Sequence, residues 1–312
     1  MTTPRISVVM PCFNAAGTLE EALDSLRLQT LADWELVAVD DGSTDATGDI
    51  LSKAAASDPR IKPVKIDNGG PSRARNLGAL CHARAKVIAF LDADDVCAPE
   101  RLERLVTAFE ARPVSSAFYG RVAFFQHDPR QPDTVSTIRR RALSTRVLLG
   151  ENPVCTTSNL AVRKSALRAV GGFDESLVHH EDVDLLLRLA DGGARIDGID
   201  EILVHYRTSQ DSLSADLSAM RRAWLETLTR FNQKTGIDGA TARQAEAIHL
   251  RYLARRALRL NRHPREAVGL AVSGLCRSPT AFFDIPRRGA LTLGGSLLAP
   301  LLPSKLRRRL FA

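Results

Sequence analysis

Aromatic side chains are scarce, at 5% of the 312 residues. With no stacking motif either, the chain offers little to hold bases, so no nucleic-acid partner is expected. The five cysteines, Cys12, Cys81, Cys97, Cys155 and Cys276, are scattered without any paired metal-ligand spacing. An odd, dispersed set argues against a disulfide framework and points to a reducing compartment, the cytoplasm. No apolar run approaches the roughly 18–20 residues needed to span a bilayer. The opening MTTPRISVV lacks the basic start and long apolar core of a signal peptide. Two phosphate-binding signatures are also missing: no GxxxxGK followed by Ser or Thr occurs, and no GxGxxG follows the first apolar run. Nucleoside-triphosphate and dinucleotide chemistry lose ground accordingly.

Charge is present but unevenly placed. Residues 1–250 carry a net −4, whereas residues 251–312 carry a net +11. A near-neutral body is therefore followed by a strongly basic segment. Up to about residue 110, short apolar runs (Ile6–Met10, Trp34–Val39, Ile61–Ile66, Lys86–Leu91) alternate with amphipathic stretches (Thr18–Leu28, Ala46–Ala56, Ser72–Ala83, Pro99–Ala111). That alternation predicts an α/β domain with a mostly parallel sheet and helices on both faces. Beyond residue 113 the rhythm predicts strands at Ala117–Phe125, Ser158–Val162 and Glu201–Tyr206, with a helix at Asp182–Ala190. From about 216 onward only helical periodicity remains.

The polar motifs fall where the parallel strands should end, at Pro11–Asn14, Asp40–Asp45 and Asp92–Asp95. Ligands of open parallel sheets gather at that rim. Each motif alone reads equally as a turn with helix-capping residues. Asp92-Ala93-Asp94 leaves an apolar run as an acid-x-acid pair, so both carboxylates can face one ion. Hard oxygen donors suit Mg²⁺ or Mn²⁺ and leave positions for phosphate oxygens. The stretch NGGPSRARNLG, Asn68–Gly78, adds Arg73 and Arg75 as candidate phosphate partners.

Together, SVVMPCFNAAGTLEEALDSLRLQT, ELVAVDDGSTDAT, NGGPSRARNLGA and FLDADDVCAPERL resemble the family 2 glycosyltransferases with the GT-A fold. The likeness runs in order over about the first 110 residues. It continues at GGFDESLVHHEDVDLLLRLA, and so covers about 1–212. The resemblance implies a GT-A-type nucleotide-diphospho-sugar transferase fold, with a nucleotide-binding half at about 1–112 and an acceptor half at about 113–212. Residues 213–312 would form a basic helical C-terminal extension.

It further implies inverting transfer of one sugar from a nucleotide-sugar donor, most often UDP-linked, to a hydroxyl of a carbohydrate or lipid-linked acceptor. Cell-surface polysaccharide or glycolipid synthesis is the setting implied. By position, Pro11, Phe13 and Asn14 would lie at the base pocket, Asp41 would read the uracil edge, and Arg75 would lie beside the nucleotide. Asp94, with Asp92, would hold a divalent cation (Mn²⁺ or Mg²⁺) against the diphosphate. Asp182, with Glu181 beside it, would be the general base that takes the acceptor's proton.

Two departures from the family pattern stand out. Relatives often carry Tyr-Arg-x-His after the last strand, and here Ser209 follows Tyr206-Arg207 where that His would fall, so that His205 or a different group must compensate or binding is weaker. No Gln-x-x-Arg-Trp element occurs, which favours single-sugar addition over processive synthesis. His179 and His180 read either as acceptor contacts or as loop residues. Two other classes stay open: a sugar nucleotidyltransferase, whose Gly-rich basic loop is missing from PCFNAAGT, and a nucleotide-sugar-binding protein without catalysis. The apolar stretch Leu291–Leu302 before SKLRRRL also has two readings. It either caps the catalytic body or sits in an anionic membrane interface, held by Arg307–Arg309, on the inner face of the membrane.

Overall fold

The computed structural model describes residues 3–177, 180–208 and 217–311. The chain divides into two units, Met1–Leu143 with Pro153–Gln210, and Ser144–Asn152 with Asp211–Ala312.

In the first unit, β1 (Ile6–Cys12) is almost wholly buried and β2 (Trp34–Asp41) entirely so. Parallel strands covered by helices on both faces demand such continuous burial. Ile6 lies opposite Trp34, and the register runs on to Cys12 opposite Asp40. Helices α1 (Leu19–Arg27) and α2 (Thr47–Ser57) make the first two crossovers, α2 leading to β3 (Ile61–Ile66). Leu19, Leu23 and Leu26 of α1 are buried, each contributing ~1.5–3 kcal/mol by the usual transfer scale. Helix α3 (Pro71–Asn76) continues as a π-helical turn, Leu77–His82, and leads to β4 (Val87–Phe90). A Cβ on Gly78 would meet Val9 Cγ1 at 2.6 Å, so only glycine lets this turn lie against the sheet.

The later strands are β5 (Val96–Cys97), β6 (Ser115–Phe125), β7 (Thr134–Val135), β8 (Leu160–Arg163) and β9 (Arg195–Arg207). The sheet order is β3-β2-β1-β4-β8-β6-β9-β5, with β7 attached to β6. The strands from β3 to β4 are parallel, and β6 with β9 is parallel too. β8 runs antiparallel to both β4 and β6, and β5 antiparallel to β9. β2 and β4 flank β1 on opposite sides, so the chain reverses its strand order there. That is a switch point, and ligands of such sheets bind beyond the carboxyl ends of the strands there. Helix α4 (Arg101–Ala111) follows β5.

Helix α5 (Thr145–Gly150) belongs to the second unit and interrupts the first in sequence. Helix α6 (Lys164–Ala169) returns to the first unit, as does α7 (Glu181–Asp191), which buries Leu185, Leu186, Leu187 and Leu189. The strand expected at Glu201–Tyr206 is thus the second half of a longer one. Asp197, Gly198 and Asp200 break the apolar alternation of its first half.

The second unit contains α5, α8 (Leu217–Thr235), α9 (Gly239–Arg259), α10 (Pro264–Arg277), α11 (Pro279–Phe282), α12 (Pro286–Leu298) and α13 (Ser304–Phe311). Asp238 caps α9 by accepting the Thr241 N–H at 2.8 Å, and Pro264 opens α10. Trp224 of α8 stacks on His249 of α9 with ring centroids 4.7 Å apart. Arg251, fully buried on α9, pairs with Asp284 and, at 3.5 Å, with Glu151; Arg288 of α12 reaches Glu151 at 3.0 Å. A buried guanidinium persists only with such partners.

Candidate active site

Four loops converge at the carboxyl ends of β1, β2, β3 and β4. Asn14, held at φ +49, ties the first two together. Its amide N–H donates to Ser43 Oγ at 3.1 Å and its Oδ1 accepts the Thr44 N–H at 2.9 Å. Ala15 and Ala16 N–H groups add bonds to Thr47 Oγ1 at 2.8 Å and Asp45 Oδ2 at 3.1 Å. Thr18 Oγ1 donates to the Ala93 carbonyl at 2.9 Å and so reaches the acidic loop after β4. Pro11 is half-buried at the rim, and Phe13 is 53% exposed, an apolar ring left facing solvent. Cys12 beneath them is buried, and that burial, with the charges of Asp40 and Asp92, pushes its thiol up; it stays neutral rather than nucleophilic.

Asp41 ends β2 buried, and its two carboxylate oxygens accept the Gly69 and Gly70 N–H groups, each at 2.8 Å. The Asn68 side chain donates to the Asp41 carbonyl at 3.0 Å. Asp41 therefore sets the path of the Asn-Gly-Gly turn that introduces α3.

Arg75 on α3 is the hub of the site. It is 5% exposed, donates to Asp92 Oδ1 at 2.7 Å and to Glu181 Oε1 at 3.1 Å, and lies 5.6 Å from the Phe173 ring centre. Burial works against its charge, but Asp92 and Glu181 outweigh it. Two sequence-distant acids, one from the β4 loop and one from α7, are thereby joined through one guanidinium.

Asp94, two residues along, has its carboxyl raised, first by burial and then by the neighbouring charge of Asp92. Asp95 is fully buried; burial and the charges of Asp92 and Asp94 push it well above the usual range. Its Oδ1 accepts the Arg207 N–H at 3.1 Å. Asp182, in the first turn of α7, is pushed up to about 6, chiefly by burial and next by Glu181.

Several residues that complete the arrangement were not among the candidates, and Arg101 and Ser158 carry no motif signal at all. Arg101, 1% exposed, donates to the carbonyls of Phe90, at 2.8 Å, and Ser158, and to Cys97 Sγ at 3.1 Å. It thus fixes the backbone on which Asp92–Asp95 sit. Ser158 Oγ accepts the Asp92 N–H at 3.0 Å. Tyr206 is pushed up to about 12, first by burial and then by the charges of Asp95, Asp94, Asp92 and Asp182. Its position in the Tyr-Arg pair was the available signal. Arg207 donates to the Asp94 carbonyl at 3.1 Å and pairs with Glu21.

Asn76, beside Arg75, grips the Gly-Gly-Phe-Asp turn: its Nδ2 donates to the Phe173 carbonyl at 2.9 Å and its Oδ1 accepts the Phe173 N–H at 2.7 Å. Gly172 sits at φ +75, where a Cβ would lie 2.4 Å from Asn76 Oδ1. His180 occupies the N-cap position of α7 at φ +62, without a side-chain capping bond. His205 pairs in register with Val96 and is pushed down by burial. His179 and Ser209 lie outside the described residues.

Residues 7–171 match the family described as Glycosyl transferase family 2. The chain belongs to that family. An uncharacterised glycosyltransferase of Nostoc sp., alr2836, is 35% identical over 176 residues, 54% of this chain and 54% of that protein. The O-antigen biosynthesis protein RfbC of Myxococcus xanthus is 31% identical over 78% of this chain and 18% of its own length. The chain thus spans about half of one relative and under a fifth of the other. Among solved structures, TarS 1-349 of S. aureus in complex with UDP aligns at a TM-score of 0.56, with 20% identity, over 91% of each chain. The mannosyltransferase PcManGT of Pyrobaculum calidifontis, in complex with GDP-Man and Mn²⁺, aligns at 0.54 with 21% identity, over 99% of this chain and 84% of that one. These two likenesses establish a shared GT-A-like fold with the glycosyltransferases.

Proposed function

We propose that this family 2 glycosyltransferase transfers one sugar, with inversion, from a UDP-sugar to a hydroxyl of a carbohydrate or lipid-linked acceptor in cell-surface polysaccharide assembly. The carrying observation is the Arg75 bridge, which brings the acid pair of the β4 loop and the Glu181-Asp182 pair to one rim. The UDP complex of TarS and the O-antigen role in the name of RfbC support the donor class and the setting.

In this reading Phe13 and Pro11 flank the base, and Asp41 holds the turn that borders it. Asp182, with a carboxyl near 6, is ionised at neutral pH yet basic enough to accept a proton. As the acceptor oxygen bonds to the anomeric carbon, the bond to the diphosphate breaks and the hydroxyl proton passes to Asp182. Inversion needs only that base, and no sugar is bonded to the enzyme.

The residues fit a divalent cation that arrives with the diphosphate. Among the described residues, no group of three or more His, Cys, Asp or Glu side chains is arranged to hold a metal alone. Asp94 and Asp92 nevertheless offer hard oxygen donors, and the carboxyl of Asp94 is raised by burial and then by the charge of Asp92, both of which a cation would offset. When bound there, Mn²⁺ or Mg²⁺ would supply Lewis-acid charge to the leaving diphosphate. Arg75, held by two carboxylates, keeps Asp92 oriented toward that position.

A thermal-shift screen of nucleotide sugars with and without Mn²⁺ tests the donor. A UDP-sugar should raise Tm in a metal-dependent way. Stabilisation by no nucleotide sugar, or equal stabilisation by every nucleoside diphosphate, would sink the reading.

A further inference from the structure

Helix α12 in the second unit is built inside out. Its inward line, Gly289, Thr292, Gly295, Ser296 and then Ala299, is small or polar, and every member is buried. Its outward line carries the large apolar side chains: Leu291 is 65% exposed, Leu297 52%, Leu298 55%, and Leu301 just beyond it 78%. Arg287, Leu291, Gly294, Leu298 and Leu301 recur at four- and three-residue steps, so they share one helical face. On α13, Leu306 and Leu310 are exposed one turn apart, beside exposed Lys305 and Arg309. Small residues inside let α12 pack closely, but they do not explain why leucines face water. Leucines gathered in this way mark a contact surface.

Charge says what kind of surface would meet them. From Ile285 to Phe311 there are six basic residues and no acidic one. Arg255 on α9, half-buried, makes no hydrogen bond or ion pair to a carboxylate among the described residues. It is pushed down to about 10 by burial and by the charges of Arg288 and Arg259. The cationic excess is therefore local to the start of α12 as well as spread along the sequence. No helix among the described residues is long and apolar enough to cross a membrane. The leucine stripe, eleven residues from Leu291 to Leu301, extends ~15 Å, half a hydrocarbon core. Such a stripe can lie in an interface but cannot span it.

We propose that α12 and α13 lie on a membrane surface containing anionic lipid. The leucines enter the interface, and Arg287, Lys305 and Arg309 meet lipid phosphates. This surface is independent of the sugar-transfer reading, and its test involves no transfer.

The full chain is sedimented with vesicles of phosphatidylcholine alone and of phosphatidylcholine with phosphatidylglycerol. Partitioning onto the anionic vesicles should be higher by about 10²-fold and fall with added salt. Leu291→Ser with Leu298→Ser should weaken it by at least about tenfold with Tm unchanged, because both side chains already face solvent. Lys305→Gln with Arg309→Gln should lower binding and flatten its salt dependence, an arm that stands if the leucine variant misfolds. Equal binding to neutral and anionic vesicles overturns the proposal, as does a leucine variant that binds like the parent. A dimer seen by light scattering, lost in the leucine variant and unaccompanied by vesicle binding, would assign the stripe to a second copy and also overturn it.

Discussion

Arg75 and Asp92 meet at 2.7 Å, with Arg75 almost wholly enclosed and its other terminal nitrogen given to Glu181. The arginine often imagined as waiting for phosphate is already engaged by carboxylates, so its first task is to position acids. Lysine cannot make both bonds from one planar fork.

Arg75→Ala should therefore destabilise the fold by ~3–5 kcal/mol, the usual consequence of leaving partly buried acids unpaired. Arg75→Lys should retain more of the stability but lower kcat/KM by roughly 10²-fold or more through misplacement of Asp92. Denaturant unfolding and donor kinetics on both variants check this. Unchanged stability in the alanine variant would remove Arg75 from its hub role.

Asp182→Asn should lower kcat by roughly 10²–10⁴-fold while leaving UDP affinity nearly intact. The parent enzyme should lose activity as pH falls through about 6, because the base must be ionised. That acid limb should vanish from the residual activity of the variant. Parallel loss of UDP binding would contradict the base assignment.

The same group carries a stability consequence of opposite sign. Its folded value lies above the ordinary carboxyl value, so the folded protein holds this proton more tightly than the unfolded chain. Its contribution is favourable at low pH and is lost as pH rises from about 4 to about 6. Asp182→Asn should consequently be more stable than the parent at pH 7.5, by an amount on the order of 1–3 kcal/mol, and the difference should shrink toward pH 4. Calorimetry at the two pH values decides it.

Asp94→Ala should abolish the Mn²⁺-dependent part of UDP affinity and leave Tm near or above that of the parent, since a crowded negative charge is removed. Isothermal titration with and without metal provides the measurement. Metal-dependent affinity that survives would shift the ion to other residues.

Asn76→Ala should cost ~1–3 kcal/mol by stranding the buried Phe173 N–H and carbonyl. Faster hydrogen exchange confined to the Gly-Gly-Phe-Asp turn and the start of α7 would locate the effect.

Much of this was legible in sequence because the relevant signals are local. The apolar runs of β1, β2 and β4 and the acids that end them lie within a few residues of one another. Asp92 and Glu181 were both identifiable as candidates, but their junction through Arg75 depends on a contact 106 residues apart in sequence. Arg101 was invisible for another reason: an arginine at the start of an amphipathic helix normally faces water. Here the carbonyls of Phe90 and Ser158 and the sulfur of Cys97 take its protons, so it remains inside. β5 is only two residues long, too short for any periodicity to announce it. The burial of Asp95 has no local signature, because the bond it accepts comes from β9, more than a hundred residues onward.

The nine-residue segment Ser144–Asn152 makes the second unit discontinuous. Val147, Leu148 and Leu149 are buried in α5, and Glu151 is paired with Arg251 and Arg288, supplied by helices that follow 100 and 137 residues later. During synthesis these leucines emerge long before their partners, leaving an apolar surface that a chaperone or another nascent chain could capture. A fragment cut near residue 212 would keep that orphaned segment exposed. Trimming the chain to its family-matched part should therefore favour aggregation, whereas removing or replacing Ser144–Asn152 together with the later helices should not.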